Sequence, residues 1–392
     1  MTQDFYSRAL SQKAQNLQPS GIRKFFDLLA ETPDAISLSV GEPAFQTPWH
    51  IRDAGVYSLE KGWTKYTANA GILTLRRQIA AYLLRRFELT YDPEKELLVT
   101  VGGSEAIDLA IRTLVDPGDE VIIVSPSFVC YDPLTRLAGG VPVPVVTQAE
   151  NDFKLTPDEL RAALTPKTKL LILPYPCNPT GAVMARGDLE AIAQVLRDTD
   201  VVVLSDEIYA ELTYGSRHCS PALLPELNPR TVVVNGFSKC YSMTGWRLGY
   251  AAGPAPLLEQ MTKLHQYAIM CAPTASQYAA VEALRAGDED IARMCDEYDD
   301  HRRFLLDGLR RLGLETFEAR GAFYLFPSVA KFGLRSDLFC ERLLKEQKVA
   351  VISGTAFGPG GEGYVRMCYA ASMEDIAEAL RRMERFLAVP LA

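Results

Sequence analysis

Six short apolar runs recur along the 392-residue chain and limit its fold more than any other feature. They are ELLVTV (96–101), DEVIIVS (119–125), TKLLILP (168–174), DVVVLS (200–205), RTVVVN (230–235) and RLGYAAG (247–253). Each is too short for a stable helix and lacks polar alternation, so each predicts a strand covered on both faces. Amphipathic segments at 104–114 and 188–196 separate several of them. Buried strands spaced by helices predict an α/β fold with a mostly parallel central sheet and helices on both faces. Two helix starts are marked by capping chemistry: Thr156-Pro157-Asp158-Glu159 in capping-box order, and Ser372-Met373-Glu374-Asp375 before the last helix.

After residue 282 the pattern changes. A charged segment at 288–311 predicts a solvent-facing helix, followed by LETFEA, GAFYLFPS, a helix at 336–346, VAVISG, GYVRMCYA and a final helix. Mixed strands and helices of this kind predict a smaller α+β domain. The chain therefore divides into 1–46, an N-terminal arm and part of the small domain; 47–282, a large domain; and 283–392, the small C-terminal domain. This matches the two or three domains that the length allows.

Composition excludes several function classes. A formal net charge of −8 without a basic cluster argues against nucleic acid and against an anionic membrane surface. No apolar run approaches the ~18 residues of a membrane span, and the polar start MTQDFYSRALSQKAQ lacks a signal-peptide core. The eight cysteines are scattered without a C-x-x-C pair and read as reduced thiols of a cytoplasmic protein. None of the four histidines pairs with another at helical spacing, which argues against a His-based metal site.

In open α/β sheets, ligands bind at the carboxyl ends of the strands. There the sequence places Gly102-Gly103-Ser104-Glu105 opening a helix, Tyr175-Pro176-Cys177-Asn178, Asp206-Glu207-Ile208-Tyr209, and Ser238-Lys239 followed by Arg247. A helix N-terminus with Ser104, Ser238 and Arg247 suits a phosphate. A lysine partly desolvated beside a cation can act as an amine nucleophile. A carboxylate facing a ring nitrogen keeps that nitrogen protonated. A phosphate cradle, a Schiff-base lysine and an acidic ring partner are the demands of pyridoxal 5'-phosphate.

The chain resembles the pyridoxal-phosphate aminotransferases of fold type I, the aspartate aminotransferase class I/II family. The resemblance rests on Gly41-Glu42-Pro43, Tyr66 in KYTANAG, GGSEA, SPSF, YPCNPTG, SDEIY, FSKCYSMTGWRLG and Tyr364-Val365-Arg366, in the family's order over residues 20–370. SGIRKF, LHQYAIMCA and GEGYVR are most similar to the branch holding N-acetyl-diaminopimelate aminotransferases, with aspartate and aromatic aminotransferases as neighbours.

The resemblance implies a homodimer with active sites at the interface, acting on small-molecule amino acid and 2-oxo acid substrates by a ping-pong route. It implies Lys239 as the Schiff-base lysine and proton shuttle, Asp206 on the pyridine nitrogen, and Asn178 and Tyr209 on the ring hydroxyl. It further implies Phe128 stacked on the ring, Gly103, Ser104, Glu105, Ser238 and Arg247 around the phosphate, and Tyr66 reaching in from the partner subunit. Arg366, assisted by Asn178 and Gly41, would grip the substrate α-carboxylate, and Arg23 is a candidate for a distal carboxylate or for a surface or interface position.

Other functions compete for the same residues. Taken alone, Lys239 is an ordinary solvated lysine, Phe128 a core residue, Ser104 a plain helix cap, and Tyr66 and Tyr209 half-buried tyrosines. A nucleotide hydrolase would also place acids after DVVVLS, but it requires a Gly-Lys loop that the chain lacks. The G-x-G-x-x-G match at 358–363 leads into a strand rather than a helix and reads as a loop. A cysteine-conjugate β-lyase would use the same cofactor apparatus and is the alternative on this fold. A cofactor-binding regulator would carry an added DNA-binding segment, for which the residues before position 30 leave too little room. Ala44 stands where many family members carry an acid, and Phe128 where tryptophan or tyrosine is common.

Overall fold

The computed structural model describes residues 3–19, 21, 29, 32 and 34–390. Its strands are β1 (Ile36–Ser37), β2 (Leu97–Thr100), β3 (Glu120–Ser125), β4 (Val141–Val146), β5 (Thr168–Leu173), β6 (Val202–Asp206), β7 (Thr231–Gly236), β8 (Gly249–Ala252), β9 (Tyr324–Leu325), β10 (Val349–Ala350), β11 (Ile352–Ser353) and β12 (Val365–Cys368). Seven of them form one sheet in the order β2-β8-β7-β6-β5-β3-β4. All six predicted runs are in it. β3 pairs in parallel with β4 and β5, and β6 pairs in parallel with β5 and β7, whereas β8 runs antiparallel between β7 and β2.

The apolar runs lack alternation because both faces of the sheet are covered. Leu98, Val121, Ile123, Leu170, Ile172, Leu204 and Val232 enter one apolar core beneath the helices Gly103–Leu114 and Ala255–Ala268. Their strand neighbours Ile122, Val124, Leu171, Leu173 and Val203 enter the opposite core, which continues into the C-terminal part through Tyr298, Leu305, Phe323 and Ile352. At roughly 25 cal/mol per Å² of apolar area buried, such two-sided burial outweighs any local preference of these segments.

β4, the one strand of this sheet that the apolar-run criterion does not predict, reads VPVPVV and pairs only with β3. Two prolines remove two backbone donors, which an edge strand tolerates because one side pairs with nothing. In the C-terminal part, LETFEA forms no strand, while β9, β11 and β12 form an antiparallel sheet in the order β11-β12-β9. β1 crosses from the N-terminal segment to pair in parallel with β10. The helix expected to face solvent, Asp288–Arg311, buries Ile291, Met294, Tyr298, Leu305 and Leu309 along one side. Its charges mask an apolar stripe of helical period.

Both marked helix starts carry their caps. Thr156 Oγ1 accepts from the Glu159 N–H at 3.3 Å while Glu159 Oε2 accepts from the Thr156 N–H at 2.8 Å, and Ser372 Oγ accepts from the Asp375 N–H at 3.1 Å. No helix among the described residues is long and apolar enough to cross a membrane.

Candidate active site

A cavity of about 710 Å³ opens at the carboxyl ends of β2, β5, β6 and β7, where it is lined by Gly103, Ser104, Phe128, Asn178, Asp206, Tyr209, Ser238, Lys239, Arg247, Tyr324 and Arg366 among others. Sheet topology brings these residues together from five distant stretches of sequence.

The turn after β7 delivers Lys239. Its Nζ donates to the Gly41 carbonyl at 2.7 Å, and burial, helped by the nearby Arg366 and Arg247 charges, lowers its pKa from 10.5 to about 8. Near neutral pH a useful fraction is therefore the free amine. Asp206 is the last residue of β6 and is buried. Its Oδ2 accepts from the Tyr131 hydroxyl at 2.7 Å and its Oδ1 from the Ile208 N–H at 3.2 Å. Burial raises its pKa, while these two donors and the Lys239 charge pull it back down.

One rim is built for an anion. The Gly103–Leu114 helix points its N-terminus into the cavity, with Gly102 at φ +75 as its cap. A Cβ on Gly102 would stand 2.7 Å from Arg247 Nη2, so the absent side chain lets the guanidinium lie against this turn. Arg247 itself is at φ +49 and donates through Nη1 to the Thr244 carbonyl at 2.8 Å. Ser104 and Ser238 line the same space.

The opposite rim belongs to the antiparallel sheet. The β12–β9 register sets Cys368 against Tyr324, which puts Arg366, two residues earlier on the same face, diagonally over Tyr324. The Arg366 guanidinium lies 4.4 Å from the Tyr324 ring centroid and 4.8 Å from that of Phe357. It donates to Asn178 Oδ1 at 2.9 Å and to the Ser39 carbonyl at 2.6 Å, while its buried Nε has no partner. No carboxylate among the described residues pairs with it. A buried cation held only by neutral acceptors is costly unless an anionic ligand completes it.

Phe128 lines the cavity and meets Tyr131 edge-on at 6.0 Å. Glu105 departs from its expected place. Its side chain turns away, with Oε2 accepting from the Val101 N–H at 2.5 Å and Oε1 2.7 Å from His265 Nδ1, so only its backbone N–H remains to face an anion. Tyr66 is 84% exposed and does not line the cavity of its own chain. Arg23 lies outside the described residues. Tyr131 and Tyr324 went unnoticed in the sequence: the first sits three residues after Phe128, and the second is hidden in the apolar run GAFYLFPS.

The donor set fits pyridoxal 5'-phosphate on structural grounds: a side-chain-free turn under an arginine for the phosphate, a buried carboxylate for the ring, and a lysine of lowered pKa lining the same cavity. Comparison with known proteins agrees. The family model for aminotransferase class I and II matches residues 33–383. A Bacillus subtilis (strain 168) protein provisionally named N-acetyl-LL-diaminopimelate aminotransferase is 43% identical over 378 residues, 96% of this chain and 95% of that one. The aspartate aminotransferase of Pyrococcus abyssi is 44% identical over 97% of this chain and 98% of its own length. The crystal structure of an aromatic aminotransferase from Pyrococcus horikoshii OT3 superposes with a TM-score of 0.89 at 44% identity, covering 93% of this chain and 98% of that one. With the family model spanning nearly all of the sequence and relatives above 40% identity over almost their full length, the chain belongs to the class I and II aminotransferases, transaminases that depend on pyridoxal 5'-phosphate.

Proposed function

We propose that the protein moves the amino group of an L-amino acid to a 2-oxo acid such as 2-oxoglutarate by a ping-pong route. The donor would be of the acidic, N-acyl-diaminopimelate or aromatic type. The observation that carries this proposal is the buried Arg366 guanidinium, without a carboxylate partner among the described residues, sharing one cavity with the depressed amine of Lys239.

When bound, the cofactor supplies an electrophilic carbon for amines and a ring that takes up electrons from the substrate Cα. The protein's own groups do the rest. The helix N-terminus at Gly103 and Ser104, with Ser238 and Arg247, would hold the phosphate. Asp206, kept ionised by the Tyr131 and Ile208 donors, would hold a proton on the ring nitrogen. Tyr209 and Asn178 would face the ring hydroxyl, with Phe128 against the ring. Arg366 would take the α-carboxylate through two parallel hydrogen bonds and orient the Cα–H bond. The free-amine fraction of Lys239 Nζ would take the Cα proton and return it elsewhere, a general base whose pKa of about 8 lies near the operating pH.

The same proposal covers the assembly. Trp49, Tyr57, Tyr66 and Tyr267 are large, exposed aromatic side chains, 49% to 87% accessible. A homodimer would cover them and could bring the partner subunit's Tyr66 to the phosphate. Eight free cysteines support a reducing, cytoplasmic setting.

The test is a donor panel (acidic, aromatic, acyl-diaminopimelate) against 2-oxoglutarate, on wild type and on Arg23→Ala. Transfer from one donor class establishes the substrate, and unchanged acidic-donor activity in Arg23→Ala removes Arg23 from the site. Release of pyruvate and ammonia from cysteine conjugates without an acceptor would instead establish the lyase.

A further inference from the structure

We propose that Tyr324 is a positioning residue that links Arg366 to Tyr209, so that filling the α-carboxylate site changes the hydrogen bond Tyr209 offers to the ring side of the cavity. The proposal rests on the pyridoxal-phosphate site described above.

Tyr324 touches three of that site's groups at once. Its hydroxyl is 2.9 Å from the Tyr209 hydroxyl, both buried. Its ring carries the Arg366 guanidinium at 4.4 Å. Its hydroxyl also fills the space beside Gly41, where a Cβ would come within 2.5 Å of it. Gly41 in turn holds Lys239 Nζ through its carbonyl.

A phenol has one hydrogen to donate. Between two phenols one hydrogen is shared, and neither hydroxyl has a further partner among the described residues. One hydrogen of the pair is therefore left for an acceptor in the cavity that both residues line. The direction of the pair follows from charge. A guanidinium over the Tyr324 ring draws electron density from its oxygen and makes Tyr324 the better donor. Tyr324 then donates to Tyr209, and the Tyr209 hydrogen points into the cavity. When a substrate carboxylate neutralises Arg366, that polarisation falls and the hydrogen bond offered by Tyr209 weakens. The direct contact of Arg366 with Asn178 at 2.9 Å gives a second, parallel connection from the same arginine.

Ring and hydroxyl can be separated experimentally. Tyr324→Phe keeps the surface under Arg366 and removes only the link to Tyr209; Tyr324→Leu removes both. Lys239, Asp206, Tyr131, Glu42, Arg247 and Cys368, titratable and charged groups around the cavity, are unsubstituted in either variant. The holoenzyme's visible absorbance is titrated with pH, with and without saturating maleate, a dicarboxylate that can fill Arg366 but carries no amine.

In Tyr324→Phe, the titration midpoint should differ from wild type by about half a pH unit or more, and the maleate-induced shift should shrink by about half. The donor KM should change by less than about threefold, whereas in Tyr324→Leu it should rise about tenfold or more. A Tyr324→Phe enzyme with wild-type midpoint and wild-type maleate shift overturns the link alone. Equal rises in KM for both variants, with no spectral difference, would make Tyr324 a packing residue. Absence of a visible cofactor band in wild type would overturn the cofactor site and the link together.

Discussion

Substituting Lys239 by methionine in the cofactor-free protein should make its stability advantage over wild type depend on pH in a calculable way. Burial lowers the Lys239 pKa from 10.5 to about 8, and ~2.5 units correspond to ~3 kcal/mol of penalty on the charged form. The sign follows from proton counting. Between pH 8 and 10.5 the unfolded chain binds more protons at this position than the folded one, so wild-type stability rises with pH there. Below pH 8 the full penalty is present; above 10.5 both states are neutral and it vanishes. Methionine has similar length and no charge, so it escapes the penalty at every pH, although it forfeits the bond to Gly41 worth roughly 1–3 kcal/mol. The slope is therefore the diagnostic quantity. Urea unfolding of both proteins at several pH values should show the variant's advantage shrinking by ~1 kcal/mol from pH 7 to 9, and by ~3 kcal/mol by pH 10.5. An advantage that stays constant over this range, or grows, would refute a desolvated amine at position 239.

Further outcomes follow from the same geometry. Arg366→Ala should raise the donor KM about 100-fold through loss of the buried carboxylate contact, with the cofactor's visible absorbance retained; loss of that absorbance instead would place Arg366 in the cofactor site. Tyr131→Phe removes a donor from the Asp206 carboxylate, so the Asp206 pKa should rise further and the acid limb of the kcat/KM profile move to higher pH. Gly102→Ala forces a Cβ onto a φ of +75 and to 2.7 Å from Arg247 Nη2; equilibrium dialysis should show about tenfold weaker pyridoxal 5'-phosphate binding.

The large sheet was legible because two-sided burial writes itself into sequence as unbroken apolar runs, and the residues that line the cavity were legible because they follow those runs at the strand ends. β4 was not, because its prolines suppress the strand signal that its edge position makes tolerable. Glu105 shows the limit of proximity in sequence: it lies in the right turn, yet the partner that claims its carboxylate, His265, is 160 residues away. Tyr324 shows the converse. Nothing in GAFYLFPS distinguishes it from its apolar neighbours, and only the β9–β12 register places it under Arg366. Tyr131 likewise needs the fold to meet Asp206, 75 residues distant. The helix Asp288–Arg311 looked solvated because charge density hid a stripe that period 3.6 makes continuous.

Transamination itself is tested most directly by its two half-reactions. Purified holoenzyme given an L-amino acid alone should lose its visible cofactor absorbance and release about one 2-oxo acid per subunit. Adding 2-oxoglutarate should then restore the absorbance with formation of glutamate. Continued release of 2-oxo acid and ammonia without an acceptor, or full turnover by Lys239→Ala, would contradict it.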